Sequence, residues 1–499
     1  MYIKTMRLPW IITCLGLWWI FIGLAVAETG KPLTIGVGRD FYDGPDSRTF
    51  LHGSTNTWEA LTYLDRNLKA VPWLAQSWKV DANGLTWTFT LRSGVLFHDG
   101  SPLSAQDVVA SIQRIRAHAK YDPTGNYQEV LSVSAEDKQK VVFRLRTPVP
   151  TFAQRIAYYS SPIIKPDGFD VKGHIKSFVA TGPFQVAKII PGSEIRLTAT
   201  DNYWGPSPAF KTIIFRKLPD AQTRLLALMA GDIDAVADVG GILPQQMNQI
   251  RSATHLTLKQ VEVATTHMLL FNCSRIPFSD KNMRVWLAGA IDRKNLVKTF
   301  ANGAGQVAFD PFTRLCKEFI SNQIHPQSKP FPLNGPQVKD ELVLLLHGGT
   351  LERWPYADIA QVLQQILNSK GLATRIVIQE AGSFHETVKA RQYDIAIQPY
   401  TLMTGDPDFF YSYFIAADAP RNVGYTNKSA DSLIIDARRR MDQKKRKKNY
   451  LQLAQIVSQD LPVLPLYHDI SLYAHRSSMS DFEMDQLFRP VLTQGTLWQ

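Results

Sequence analysis

Tyr203-Trp204-Gly205, the run Phe210-Lys-Thr-Ile-Ile-Phe-Arg216, and then Arg224-Leu-Leu-Ala-Leu-Met-Ala-Gly231-Asp232-Ile233-Asp234 decide how this chain is read. The middle run is β-branched and aromatic, as a strand between anchoring turns should be. The third run carries helix formers and stops at a glycine before an acidic turn. A strand leading into a helix of this kind is a unit of an α/β layer.

Working outward, Leu33-Thr-Ile-Gly-Val-Gly38 reads as a short strand entering a turn rich in glycine and proline. Leu85-Thr-Trp-Thr-Phe-Thr-Leu-Arg92 alternates with period two, which requires a half-buried antiparallel sheet. Ser104-Ala105-Gln106-Asp107 places a capping serine before a carboxylate, and Val108, Ile112 and Ile115 give the ensuing helix an apolar face. Farther on, helices are expected near 282–290 and 358–367, with strands near 374–378 and 393–397. Thr266-His267-Met268-Leu269-Leu270-Phe271-Asn272 and Leu461-Pro-Val-Leu-Pro-Leu-Tyr467 are expected to cross between two lobes. Two crossings make a hinge, so a few linker dihedrals can absorb the motion of two rigid bodies around a cleft.

Lys4 and Arg7 precede an apolar run from Leu8 to Ala27 that ends in Ala25-Val26-Ala27, the layout of a cleavable export signal. A retained anchor is the alternative, because the run is about 20 residues long. At 499 residues the chain exceeds one ordinary core, and two or three domains are expected. Cys273 and Cys316 are the cysteines outside the leader; their pairing is open, and core burial rather than disulfides must hold so long a chain. The net charge is +11, or +9 without Lys4 and Arg7. Arg438, Arg439, Arg440, Lys444, Lys445, Arg446, Lys447 and Lys448 concentrate it in one segment, read as a solvated helix face with Leu433, Ala437, Leu451, Ala454 and Ile456 on the apolar side. No nucleic-acid-reading module accompanies them, so a nucleic-acid partner is not expected. Neither a phosphate-cradling loop nor a Gly-x-Ser-x-Gly elbow is present.

The ordered marks Val71-Pro72-Trp73-Leu74-Ala75-Gln76-Ser77-Trp78, Phe97-His98-Asp99-Gly100, Thr181-Gly182-Pro183-Phe184, Asn202-Tyr203-Trp204-Gly205, Gly231-Asp232-Ile233-Asp234 and Gly405-Asp406-Pro407-Asp408 run through most of the chain. In this series the chain resembles the peptide and nickel class of extracytoplasmic solute-binding proteins that serve ABC importers, family 5 of the bacterial extracellular solute-binding proteins. The resemblance implies a two-lobed α/β periplasmic-binding-protein fold (type II, cluster C) with an extra subdomain in the first lobe. Its expected divisions are a cleaved signal over 1–27, lobe I beginning over 28–55, the extra subdomain over 56–180, lobe I again over 181–265, lobe II over 266–466, and a return to lobe I over 467–499. It also implies a periplasmic receptor without catalysis, partnered by ABC permease subunits and their cytoplasmic ATPase. An extracytoplasmic hydrolase is the contrasting class.

Within the family the likeness leans toward the nickel-binding branch, through Val239-Gly240-Gly241-Ile242-Leu243-Pro244 and Thr265-Thr266-His267. The implied solute is a reversibly bound nickel chelate, with no tightly bound cofactor; a di- or oligopeptide is the alternative. Departures weigh on both. Ala157-Tyr158-Tyr159-Ser160 stands where that branch presents a cleft arginine, and 416–422 holds Arg421 but no histidine. Met403 stands where peptide-binding relatives carry an aspartate for the peptide's amino group, and a thioether cannot neutralise an ammonium. The candidate solute contacts are therefore His52, Tyr158, Tyr159, His385, Tyr400, Met403, Asp406, Asp408 and Arg421, with His385 and His52 as candidate metal donors. Arg39, Arg48 and Arg155 add positive charge suited to an anionic solute.

Overall fold

The computed structural model describes residues 31–39, 55–117, 121–122, 125–157, 161–319, 340–479 and 482–493. The expected export segment lies outside them. One mixed sheet runs through both lobes in the order Thr374–Gln379, Leu342–His347, Ile395–Thr401, Leu256–Phe271, Val463–Arg476, Ala235–Val236, Leu33–Val37, Thr212–Lys217, Glu194–Ala199, Phe184–Ile190. Helices and apolar clusters cover both faces of each half, giving a two-lobed α/β architecture.

The crossing strands are longer than the sequence runs indicate. Leu256–Phe271 and Val463–Arg476 pair antiparallel from Leu256↔Arg476 to Leu270↔Val463, with register breaks between Glu262 and Thr266 and between His267 and Met268. The first half of this ribbon belongs to lobe I, where Ala474 and His475 pair with Val236 and Ala235. Its second half belongs to lobe II, where Thr265 to Phe271 pair with Thr401 to Ile395. A broken ladder bends more easily than an intact one, so the break between Glu262 and Thr266 is where the ribbon can flex. Just beyond it the ribbon is stiff: His267 is fully buried, shares a 2.6 Å hydrogen bond with Tyr356 Oη, and stacks on Tyr467 at 4.1 Å.

The stretch quoted first folds as its residues dictate. Asp220 caps the helix Ala221–Ala230 by accepting from the Thr223 amide at 2.7 Å, and Gly231 ends it at φ +81. Arg224 on that helix is buried and donates to the carbonyls of Leu218, Pro219 and Gly241. It thereby fixes the loop 238–241, which faces lobe II.

The strands Ala75–Val80, Thr86–Leu91, Lys140–Leu145 and Val130–Ala135 form a separate antiparallel sheet backed by the helix Ala105–Ala117. At its junction with lobe I, buried Glu59 accepts from Trp73 Nε1 at 2.7 Å, Trp204 Nε1 at 2.9 Å and Tyr203 Oη at 2.7 Å. Those aromatic marks are thus architectural here, drawn together by one carboxylate. Burial pushes the Glu59 carboxyl up to about 7. A carboxyl raised on folding binds more protons in the native state, so its contribution is present below the unfolded value and is lost as pH rises toward 7. Between about pH 4.5 and 7, the wild-type chain should lose up to about 3 kcal/mol that Glu59→Gln does not lose. Urea denaturation of both proteins at pH 5 and pH 7.5 measures the difference.

The basic segment is two helices, Lys428–Arg439 and Gln443–Asp460, because Asp442 caps the second by accepting from the Lys444 and Lys445 amides. Their inner face holds Ala430, Ile434, Ala437, Tyr450, Leu453, Ala454 and Val457, with Arg446 turned inward among them. Cys273 and Cys316 are both free thiols.

Candidate solute cleft

Strand ends and loops from both lobes meet at one seam. On the lobe I side, Asp238 follows the strand Ala235–Val236 and is fully buried. It accepts from the Gly38 amide at 3.0 Å, the Arg39 amide at 3.3 Å and the Val239 amide at 2.8 Å, and pairs with the Arg39 guanidinium. Opposite stands Arg353 of lobe II, whose burial lowers its affinity for the proton while Asp238 counters that loss. The lobes touch here: a Cβ placed on Gly240, at φ +59, would lie 2.7 Å from Arg353 Cβ and 3.1 Å from its Cα.

His347 ends the parallel strand Leu342–His347, the strand edge at which open α/β sheets commonly bind ligands. Its ring lies 5.2 Å from Phe384 and 5.7 Å from His385 between centroids, and burial lowers its pKa. Its Nδ1 is buried without a hydrogen-bond partner among the described residues. His385 Nδ1 lies 2.8 Å from Arg421 Nη2, a group that can only donate, and Arg421 lies 5.3 Å from the Tyr413 ring centre. Arg353 and Arg421 both act electrostatically on His347. His385 and Arg421 therefore come together as a unit, joined by His347 and Arg353, which no sequence motif marks.

The other sequence candidates separate. Tyr400 is buried in the lobe II core against Phe409, Phe410, Tyr413 and Phe414. Met403 is half-buried beside that core. Asp406 directs both carboxylate oxygens at Arg446, each at 2.5 Å. Asp408 lies 2.6 Å from Arg155 of the extra subdomain and 2.6 Å from Ser412 Oγ, and Arg155 is the first of the charges that hold its carboxyl below the usual range against the cost of burial. A peptide ammonium would have to compete with these guanidiniums for either aspartate. His52, Tyr158, Tyr159 and Arg48 lie outside the described residues. No group of three or more histidine, cysteine, aspartate or glutamate side chains suited to a metal ion occurs among the described residues.

A second contact reaches lobe II at Gly405. Leu68, at the turn after Thr62–Leu64, packs into the lobe II core, and a Cβ on Gly405 would lie 2.4 Å from Leu68 Cβ. The Arg155–Asp408 bridge is a further tie to lobe II.

The model of the bacterial extracellular solute-binding proteins, family 5 Middle, matches residues 69–420. The probable D,D-dipeptide-binding periplasmic protein DdpA of Escherichia coli is 25% identical over 437 residues, covering 84% of this chain and 83% of that protein. In fold, NikA from Brucella suis in complex with Fe(III)-EDTA superposes with TM-score 0.81 at 19% identity, covering 92% of this chain and all of that one (100%). The periplasmic binding protein DppA from Helicobacter pylori, in complex with the peptide STSA, gives TM-score 0.77 at 22% identity, covering 93% and 98%. Peptide-binding and chelate-binding relatives thus match alike, and the lean toward the nickel branch read from Val239–Pro244 is not upheld.

Proposed function

The chain belongs to family 5 of the bacterial extracellular solute-binding proteins, and on that premise we propose that its solute is a short peptide gripped by its carboxylate end. As a member it is a transport receptor that works with an ABC permease and its ATPase, not an enzyme. The observation that carries the peptide reading is the cationic seam. Arg353 and Arg421 lie about His347 on lobe II, and Arg39 comes from lobe I onto Asp238. Guanidiniums are the side chains best matched to a carboxylate, and an enclosed cleft strengthens that pairing. Capture would proceed by closure about the ribbon 256–271 and 463–476, with release at the membrane permease after export to the periplasm.

Titration calorimetry with free, N-acetylated and C-amidated dipeptides tests this. Amidation should abolish binding, while acetylation should weaken it little, because Met403 offers the amine no charge; equal affinity for the amidated peptide overturns the reading. Conversely, Met403→Asp should raise affinity for free-amine peptides by roughly tenfold over their acetylated forms, the effect of one added charged hydrogen bond. A metal chelate is the second reading, favoured by the neighbouring imidazoles of His347 and His385. Native mass spectrometry of gently purified protein, with metal analysis, separates the two. A peptide without metal supports the first, and nickel with a small organic mass supports the second.

A further inference from the structure

We propose that the exposed lysines opening the helix Gln443–Asp460 form a docking surface for an anionic lipid membrane. Of the eight basic residues between 438 and 448, three turn to carboxylates: Arg438 to Asp408 and Asp418, Arg440 to Asp436, and Arg446 to Asp406. Lys445 lies 4.0 Å from Asp442 with 69% of its side chain still exposed. Arg439, Lys444, Lys447 and Lys448 are exposed and form no ion pair among the described residues.

Their position opposes folding. The first turns of a helix present the positive end of its macrodipole, where cations are unfavourable. Four lysines nevertheless stand within the first six residues of this helix, with Asp442 as the capping carboxylate. Packing does not require them, since the inner face is formed by Arg446, Tyr450, Leu453, Ala454 and Val457. Like charges gathered at an unfavourable site, three of the four lysines without an ion-pair partner among the described residues, point to an external partner of opposite sign. The chemistry favours lipid over protein. The unpaired cations are mostly lysine and no exposed aromatic accompanies them, whereas protein hot spots concentrate tryptophan, tyrosine and arginine. Lysine clusters gain by summed, salt-screened attraction to acidic headgroups, without a shaped pocket. For a receptor that must find a membrane permease, such contact would reduce the search to a surface.

The probe is co-sedimentation of the exported chain, at low ionic strength, with vesicles of phosphatidylcholine alone or mixed with phosphatidylglycerol. Binding to the mixed vesicles alone, reversed by high salt, is expected. The combined variant Lys444→Glu, Lys445→Glu, Lys447→Glu, Lys448→Glu should weaken that binding on the order of a hundredfold. It should keep solute affinity and unfold at an equal or higher urea concentration, because glutamates suit a helix start. A variant that still binds anionic vesicles undiminished, or a wild-type chain that does not bind them, overturns the proposal. Binding only to neutral vesicles that hold the permease also overturns it and reassigns the lysines to a protein contact.

Discussion

Asp406→Ala is expected to cost about 3–5 kcal/mol of stability, because it leaves the buried Arg446 cation without its counter-charge. Arg446 has 2% of its side chain exposed and Asp406 6%, and two 2.5 Å hydrogen bonds join them. The guanidinium also donates to the Ala437 carbonyl and Tyr450 Oη and lies 4.8 Å from the Tyr450 ring centre. Removing both charges together is a different experiment: Asp406→Leu with Arg446→Met should recover most of the loss, since apolar replacements of a buried pair are often neutral. Urea midpoints of the single and double variants measure both effects. A single variant as stable as the wild type would mean that Asp406 is available to solute after all.

Gly240→Asn should leave the fold within about 1 kcal/mol, because asparagine tolerates a left-handed backbone, yet lower solute affinity about 10- to 100-fold. Its Cβ would meet the Arg353 Cβ at 2.7 Å and Cα at 3.1 Å, and a backbone atom of the opposite lobe cannot yield as a flexible side-chain tip can. The lobes must then part. Apparent affinity falls in proportion to the fraction of molecules able to close. Calorimetry reads the affinity and urea denaturation reads the fold. Unchanged affinity would show that the Gly240–Arg353 contact is no part of the binding-competent state.

The sequence carried the parts of this molecule that local rules determine. Asp220 and Gly231 bound a helix in any context, and the alternation of Thr86–Leu91 forces one face into a core. The residues that converge on the seam obey no such rule. Asp238, the stretch from His347 to Arg353, and Arg421 lie far apart in the chain on loops and strand ends, and the order of strands in the sheet brings them together. Arg446 was hidden for a related reason: within a run of lysines and arginines nothing distinguishes the one that turns inward until Asp406 is placed opposite. The sequence reading took the basic segment as one helix face, whereas Asp442 caps a second helix within it.

Small-angle scattering, with and without a saturating peptide and followed by mass spectrometry of the recovered peptide, tests most directly whether two lobes close on a solute and release it unchanged. A smaller radius of gyration in the bound state, with the peptide recovered intact, is the expected result. Identical scattering curves together with a cleaved peptide would contradict it.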